Sequence, residues 1–253
     1  MQLELDQTAE TIRHHFEQVN DARNLAYNRS RSLISLCARA IRAVHRDEWD
    51  RAQALIAEAQ QATEALIVDV RDYPALYFAG YTQDAIKEFV EANLTYALVR
   101  HLPLPGPEEL GAEYNTWLNG MAEAATELRR RILDIIRHGH SDEAEYLLGA
   151  MDQIYSVLVT IDFNDSITGG LRRRTDTVRA VLERTRGDIT TSLRQAESHL
   201  GDDRDKLVTW EQEVETLAPE LEMLQEVEEA STEALLQAEE AMHNWQHQWD
   251  EFN

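Results

Sequence analysis

Apolar residues recur at intervals of three and four along nearly the whole chain, and few residues interrupt this spacing. The 253 residues include only ten glycines and five prolines, and no segment alternates apolar and polar residues as a half-buried β-strand does. Spacings of three and four place apolar side chains along one side of an α-helix, which then packs against other helices. The sequence therefore predicts an all-α protein.

Turn-forming residues divide this pattern into successive helices. Proline restricts the residue before it and rarely continues a helix, and glycine favours helix ends. The first predicted helix covers about residues 6–45, and the second runs from 47 to a turn at 72–74. A short helical piece then leads into the helix of Glu88, and a proline-rich loop at 103–107 separates that helix from one that ends near Gly139. A further helix begins at Ser141, and the last runs from Leu171 towards Leu200 after a turn at 164–170.

Composition indicates a folded protein, because 43% of the residues are hydrophobic. No apolar run approaches the length that spans a bilayer, and the polar start, Met1 to Glu10, lacks the basic and apolar regions of a secretory signal. We therefore expect a cytoplasmic protein that does not bind membranes. The single cysteine, Cys37, lies on the apolar side of the first predicted helix, where a core residue is expected rather than a reactive thiol.

The net charge of −23 has an unusual makeup. Of the 24 basic residues, only Lys87 and Lys206 are lysines, so arginine supplies almost all of the positive charge. A surface rich in carboxylates and poor in lysine is what we expect of a protein that stays soluble in concentrated salt. The composition therefore suggests a halophilic host as a hypothesis.

The end of the chain differs from the rest. Residues 201–253 contain 16 Asp or Glu but only Arg204 and Lys206 as basic residues, a net charge of −14. We therefore divide the chain into a helical domain, residues 1–200, and an acidic helical extension, residues 201–253. The extension is expected to pack on its own core, on neighbouring copies or on a partner. The alternative is a partly ordered tail that keeps the protein soluble.

Apolar residues in the extension alternate steps of three and four, as in a coiled coil. We call these positions the heptad seam: Leu207, Trp210, Val214, Leu217, Leu221 and Leu224, then Leu235, Ala238, Met242, Trp245, Trp249 and Phe252 in the same register. Glu228 and Ser231 interrupt the apolar character of the seam. Pro219 is expected to start a new helix, because proline is tolerated in the first turn but not inside a helix.

Two pairs of glutamates form the candidate chemical site. Glu88 and Glu91 are three residues apart, and Glu123 and Glu127 are four apart, so each pair projects from one face of its predicted helix. The first pair shares its polar face with Thr95, opposite an apolar stripe that runs to His101. If the two polar faces meet, four carboxylates converge.

Converging carboxylates repel one another, so a cation is expected among them. Oxygen-only ligands suit Mg²⁺, Mn²⁺ or Ca²⁺ rather than zinc, and Mg²⁺ held by carboxylates commonly supports phosphoryl chemistry. The alternative is that these glutamates simply lie on hydrated helix surfaces, as acidic residues usually do.

Arginines on the first predicted helix form a candidate surface for nucleic acid. A protein this negative repels nucleic acid unless its arginines are segregated onto one surface. Helical spacing places four arginines together, opposite the apolar side of Leu33, Cys37 and Ile41. We call them the arginine stripe: Arg31, Arg39, Arg42 and Arg46. The alternative is a hydrated helix face with local ion pairs.

Three segments resemble the translin family. Residues 20–46 resemble the first helix of that family, Lys87–Ala92 resembles its glutamate-bearing segment, and residues 167–187, which include Gly169, Gly170 and the following arginines, resemble archaeal members. The segments lie in order over about residues 6–195, so the resemblance covers the domain and not the extension.

The resemblance implies a bundle of about seven helices that forms a hollow homo-oligomer, an octamer-like shell around RNA or single-stranded DNA. In Trax-like subunits it further implies an endoribonuclease that depends on Mg²⁺ or Mn²⁺. By position, Glu88, Glu91, Glu123 and Glu127 are then the catalytic, metal-binding residues. One departure is that Glu123 stands where the Trax pattern has aspartate. Two alternatives stay open: a catalytically silent protein that binds RNA or single-stranded DNA, and a structural helical assembly module.

Overall fold

The computed structural model describes residues 5–139 and 142–252, and helices are the only regular elements in those ranges, which confirms the all-α prediction. Three of these helices are single turns of four residues. The helices are α1 Leu5–Val44, α2 Trp49–Val70, α3 Pro74–Tyr77, α4 Gly80–Val99, α5 Pro107–Leu110, α6 Tyr114–Ile136, α7 Asp142–Leu158, α8 Asp165–Thr168 and α9 Leu171–Phe252. None of these helices contains an apolar stretch long enough to cross a membrane.

Most helix ends lie close to the sequence-based expectation, but α9 continues past the expected end near Leu200 to Phe252. α6 ends at Ile136, slightly before the predicted end at Gly139. The expected start at Ser141 lies outside the described residues, and α7 is described from Asp142. The predicted turn at 164–170 contains the single turn of α8.

The fourth helix, α4, lies at the centre of the bundle. It packs against α1, α2, α6 and α7, so apolar side chains are buried around most of its circumference. Glu91 and Thr95 are buried as well, and the prediction that they lie on a polar face away from the core is wrong. Periodicity identified the most apolar side of α4 but gave no sign that other helices also cover the opposite side.

The prediction that His101 belongs to the buried stripe is also wrong. α4 ends at Val99, and His101 adopts a left-handed backbone conformation with φ 55°. Its exposed ring stacks on Tyr146 of α7, with the ring centroids 3.9 Å apart. Because His101 lies after the end of α4, helical spacing no longer determines the direction of its side chain.

The two helices that carry the glutamate pairs cross very closely at Gly120. A Cβ atom built on Gly120 of α6 would lie 2.7 Å from Val90 Cγ1 and 2.9 Å from the Lys87 carbonyl oxygen of α4. Cβ atoms do not approach other atoms that closely, so only glycine permits this separation. The crossing lies one turn before Glu123.

The turn before α9 is built on two glycines with left-handed backbone, Gly169 with φ 64° and Gly170 with φ 81°. Asn119 Nδ2 of α6 donates to the Thr168 carbonyl oxygen at 2.8 Å and holds this turn against the bundle. The double glycine therefore serves the turn, and it fixes where the arginines at 172–174 begin.

The chain divides into two compact units, Met1–Leu193 and Arg194–Asn253. In the first unit, α9 contributes buried apolar side chains, among them Val178 and Leu182, and Arg129 of α6 pairs with Asp188 at 2.8 Å. These contacts fix the first turns of α9 against the bundle.

In the second unit, all side chains described from Lys206 to Asn244 are exposed. Pro219 lies inside α9, so the prediction that it starts a new helix is wrong. A proline inside a helix costs about 3 kcal/mol, and the strong helix formers around it, mostly Glu, Leu and Ala, favour continuation. The side chains of Trp245, Trp249 and Phe252 lie outside the described residues.

Candidate metal site and arginine stripe

Three of the four predicted glutamates meet between α4 and α6. Glu88 and Glu91 are one turn apart on α4, and Glu123 faces them from α6. One carboxylate oxygen from each residue can be chosen so that all three lie within 4.8 Å of one another. We call these three residues the carboxylate cluster. The close crossing at Gly120 brings the two helices near enough for the oxygens to meet.

Glu91 is the most buried member of the cluster, with 8% of its surface exposed. Burial and, after it, the charges of Glu88, Glu123 and Glu127 together raise the pKa of its carboxyl group to about 8, against the opposing effect of Lys87. Within the part of the chain that the structure describes, no side chain or backbone group donates a hydrogen bond to this carboxylate. Glu91 therefore either holds a proton at neutral pH or needs a cation beside it.

Lys87 brings a positive charge into the cluster. Its ammonium lies 3.1 Å from Glu88 Oε1 and also donates to Glu123 Oε2, and the side chain is 11% exposed. Burial alone would lower the pKa of this ammonium, but the contacts with Glu123 and Glu88 raise it above its ordinary value. Lys87 is therefore charged at neutral pH and neutralises part of the cluster.

Arg174 binds the other oxygen of Glu123. Its Nε donates to Glu123 Oε1 at 2.9 Å, and its Nη1 donates to Asn119 Oδ1 at 3.0 Å. The turn at Gly169 and Gly170 sets the start of α9, and Arg174 reaches the cluster from the first turn of that helix. Both oxygens of Glu123 are thus engaged by basic side chains.

The fourth predicted ligand, Glu127, is held by His45 instead of joining the cluster. His45 Nε2 donates to Glu127 Oε2 at 2.8 Å, from a ring that is 1% exposed. This hydrogen bond lowers the pKa of Glu127 against the opposing effect of burial, and the charges of His45 and Arg130 lower it further. Glu127 therefore keeps its negative charge near Glu91. The structure brings three carboxylates to one point, not the four that the sequence predicted.

The donor set of the cluster fits a hard divalent cation. Its ligands are carboxylate oxygens only, which suit Mg²⁺ or Mn²⁺ better than zinc. The buried carboxylate of Glu91 has no donor among the described residues, and a cation would stabilise it in the charged form. Three protein ligands would leave coordination positions for water or substrate oxygens.

The arginine stripe lies on the surface, away from the cluster. Arg31, Arg39, Arg42 and Arg46 are all exposed, and Arg46 approaches Glu48 at 4.0 Å. No ion pair involves the first three arginines within residues 5–139 and 142–252. Their guanidinium groups are therefore available to an anionic ligand.

Cys37 shows which side of α1 faces the cluster. Burial and, after it, the charges of Glu88 and Glu91 together raise the pKa of its thiol to about 12, so the side of α1 that carries Cys37 faces α4. Each helical residue advances about 100°, which places the arginine stripe on the opposite side of α1. Within one copy of the chain, the width of this helix separates the stripe from the cluster.

Sequence reasoning missed three side chains of the site: His45, Lys87 and Arg174. Lys87 had a usable signal, because it precedes Glu88 directly in a chain with only two lysines. Arg174 belongs to the run of arginines after the double glycine. His45 gave no local signal, because its contact with Glu127 spans 82 positions.

No family model matches the chain. The uncharacterized protein MJ0175 of Methanocaldococcus jannaschii is 30% identical to it over 166 residues, which are 65% of this chain and 73% of that protein.

Solved structures with the same fold include AfC3PO in complex with duplex RNA, with a TM-score of 0.70 and 27% identity over 74% of this chain and 97% of that one. The structure of AfC3PO alone gives the same TM-score and identity, and the match covers 98% of that chain. The fold is also that of apo-NeC3PO, with a TM-score of 0.67 and 21% identity over 76% of this chain and 98% of that one. AfC3PO and NeC3PO are C3PO-like proteins of the translin family. With the 30% identity to the archaeal relative, these similarities establish that the chain belongs to the translin family.

Proposed function

We propose that this protein forms a nucleic-acid-binding homo-oligomer that cleaves RNA with a divalent metal ion held by the carboxylate cluster. The observation that carries the proposal is the meeting of Glu88, Glu91 and Glu123 within 4.8 Å. The complex of AfC3PO with duplex RNA, at 27% identity to this chain, supports RNA as the ligand and an oligomeric assembly. A shell of about eight subunits is the expected assembly, and the mass of the particle in solution tests it.

Each residue of the site has a distinct task in this proposal. Glu88, Glu91 and Glu123 would hold Mg²⁺ or Mn²⁺, which supplies a Lewis acid for the phosphodiester and lowers the pKa of a bound water. Arg174 positions Glu123 through the Nε contact at 2.9 Å. His45 keeps Glu127 ionised beside the cluster, where its carboxylate would accept the proton of the attacking water.

The test is cleavage of a labelled single-stranded RNA with Mg²⁺ or Mn²⁺, compared with the same reaction in EDTA. Glu91→Gln and Glu123→Gln keep the size of the side chains but remove their charges, so they should abolish cleavage and leave assembly and RNA binding intact. Glu109→Gln, at an exposed position in α5, is the matched control and should cleave normally. Full activity in both site variants would refute the proposal.

We assign the binding of RNA or single-stranded DNA to the arginine stripe. Its residues are exposed, and three of them form no ion pair with a described residue. Arg39→Gln with Arg42→Gln should weaken RNA binding and flatten its dependence on salt, because each lost phosphate contact reduces counterion release. Arg137→Gln, at an exposed position after α6, is the control. Unchanged RNA affinity in the double variant would show that the arginine stripe is not part of the binding surface.

A second candidate function is binding without cleavage, and Lys87 is the observation that favours it. Its ammonium already pairs with Glu88 and Glu123, so the cluster is partly neutralised without a metal. A protein of this kind would bind RNA but neither bind Mn²⁺ nor degrade RNA in its presence. Titration calorimetry with Mn²⁺ separates the two functions before any cleavage is measured.

We also propose that the protein works in the cytoplasm of a salt-accumulating host. Its net charge of −23 and its two lysines support this. In molar salt the screening length falls to about 3 Å, so RNA would be retained by enclosure and close contacts rather than by long-range attraction. Thermal unfolding at low and molar KCl tests the idea, and equal stability in both would rule it out.

A further inference from the structure

The second compact unit presents an apolar stripe to solvent. The register of the heptad seam runs without insertion from Leu207 to Phe252. Large apolar side chains along it are more than half exposed, with exposed fractions of 52% for Leu217, 64% for Leu224, 63% for Leu235 and 69% for Met242. A regular stripe of this kind on one helix is the surface that a coiled-coil partner covers.

The acidic residues of this segment are placed so that a second negatively charged helix can pack along the heptad seam. Most of its acidic residues lie away from the seam, on the outer side of the helix. These outer residues are Glu215, Glu222, Glu226, Glu229, Glu233 and Glu240. The positions that flank the seam are mainly neutral, among them Ala218, Gln225, Val227, Thr232 and Ala234. A net charge of −14 therefore does not prevent two copies from meeting along the seam.

The two polar seam residues determine the direction of such a pair. A parallel pair in register would place Glu228 against Glu228 of the second copy, two carboxylates inside an apolar interface. An antiparallel pair places Glu228 against Ser231 of the second copy, whose hydroxyl can donate to the carboxylate. Because Glu228 lies 21 residues after Leu207 and Ser231 lies 21 residues before Phe252, this pairing aligns the whole seam with itself.

We propose that the heptad seam of α9 forms an antiparallel coiled coil with the same segment of a second copy of this chain. The pairing is isologous, as expected for a twofold contact between identical chains. It sets Leu224 against Leu235 and Leu217 against Met242 of the second copy. In this alignment no glutamate that flanks the seam lies opposite another glutamate. The inference does not depend on metal binding or RNA cleavage.

Disulfide formation in the full-length protein tests the alignment. Cys37 is buried, so cysteines introduced on the exposed seam are the thiols that react. In the antiparallel pair, the double variant Leu217→Cys/Met242→Cys should yield a covalent dimer under mild oxidation. The two positions are about 37 Å apart along one helix, so they cannot bridge within a chain. Neither single variant should form a dimer, because identical positions are also about 37 Å apart in the pair.

The matched control is Glu226→Cys/Glu233→Cys, which has the same symmetry about the middle of the seam but lies on the outer side of the helix. It should remain monomeric on a denaturing gel. A covalent dimer of Leu217→Cys alone would show a parallel pair and overturn the proposal. Absence of any crosslink in the seam double variant, in a protein that keeps its helix content and native oligomer, would overturn it as well.

Discussion

His45 Nε2 lies 2.8 Å from Glu127 Oε2 and joins the end of α1 to the middle of α6. The ring is almost fully buried, and a carboxylate can only accept a hydrogen bond, so Nε2 carries the proton. This contact gives Glu127 a fixed orientation and keeps it ionised. It also explains why Glu127 contributes charge to the neighbourhood of Glu91 without joining the carboxylate cluster.

Replacing His45 should therefore destabilise the protein in a way that depends on pH. The pKa of Glu127 is lowered in the folded state, so the stabilisation is present above the ordinary value of 4.5 and is lost as pH falls through the lowered pKa. His45→Ala should reduce the free energy of unfolding by about 1–3 kcal/mol at pH 7. Denaturant unfolding at pH 7 and pH 3 measures this. A difference of the same size at both pH values would mean that packing alone is lost.

Lys87→Gln should strengthen Mn²⁺ binding and weaken the metal-free fold. The ammonium occupies oxygens of Glu88 and Glu123, so its removal frees them for a cation. Without a metal, Glu88 loses this partner and Glu123 keeps only Arg174, a loss that costs roughly 1–3 kcal/mol. Calorimetric titration and thermal unfolding measure the two effects, with Arg137→Gln as the exposed control. Equal Mn²⁺ affinity in wild type and variant would contradict the role given to Lys87.

Glu91 should make the metal-free protein less stable as pH rises. Its pKa is about 8 in the folded state against an ordinary value of 4.5, so between these values the folded chain holds a proton that the unfolded chain releases. Stability therefore falls as pH rises across this window, by an amount on the order of 3 kcal/mol. Glu91→Gln should remove this slope, as unfolding curves from pH 5 to pH 8.5 would reveal.

The same proton competes with a metal ion. Mn²⁺ binding to the wild-type protein should strengthen as pH rises towards about 8, because the bound form of Glu91 is the carboxylate. A Mn²⁺ affinity that stays constant as pH rises towards about 8 would show that Glu91 is not a ligand of the metal.

Gly120→Ala should force α4 and α6 apart. The added Cβ would lie 2.7 Å from Val90 Cγ1 and 2.9 Å from the Lys87 backbone oxygen, and the backbone cannot yield as a flexible side chain would. Overpacking of this kind costs about 1–3 kcal/mol, and it should also weaken Mn²⁺ binding because Glu123 moves away from Glu88. Gly149→Ala is the control, because nothing lies within 4 Å of its added Cβ in α7. Equal unfolding midpoints for both variants would contradict the close crossing.

Local patterns in the sequence predicted the helices well because helix formation depends on residues three and four apart. The pairing of Glu88 with Glu91 follows from the same spacing. The meeting of that pair with Glu123 depends instead on which helices face each other, and the close crossing rests on the single residue Gly120.

The errors have the same origin in tertiary structure. Periodicity assigns Glu91 and Thr95 to a polar face away from the core, because it finds the most apolar side of α4 and gives no information about helices that cover its other sides. Glu127 binds His45 instead of joining the carboxylate cluster. The two residues are 82 positions apart, so no short-range pattern predicts their contact. At Pro219, local proline chemistry predicted a helix start that the surrounding helix formers override.

Each oxygen of Glu123 accepts a hydrogen bond from a basic side chain, Lys87 on one and Arg174 on the other. A metal ion that takes an oxygen of Glu123 would compete with one of these basic groups for the electron pairs of that oxygen. An ammonium or guanidinium displaced in this way would stay tethered near the site by its own side chain, where it would be free to bind a phosphate oxygen. Loading the site with metal would thus convert an internal ion pair into an anchor for the nucleic-acid backbone, so that metal and RNA would each favour the arrival of the other.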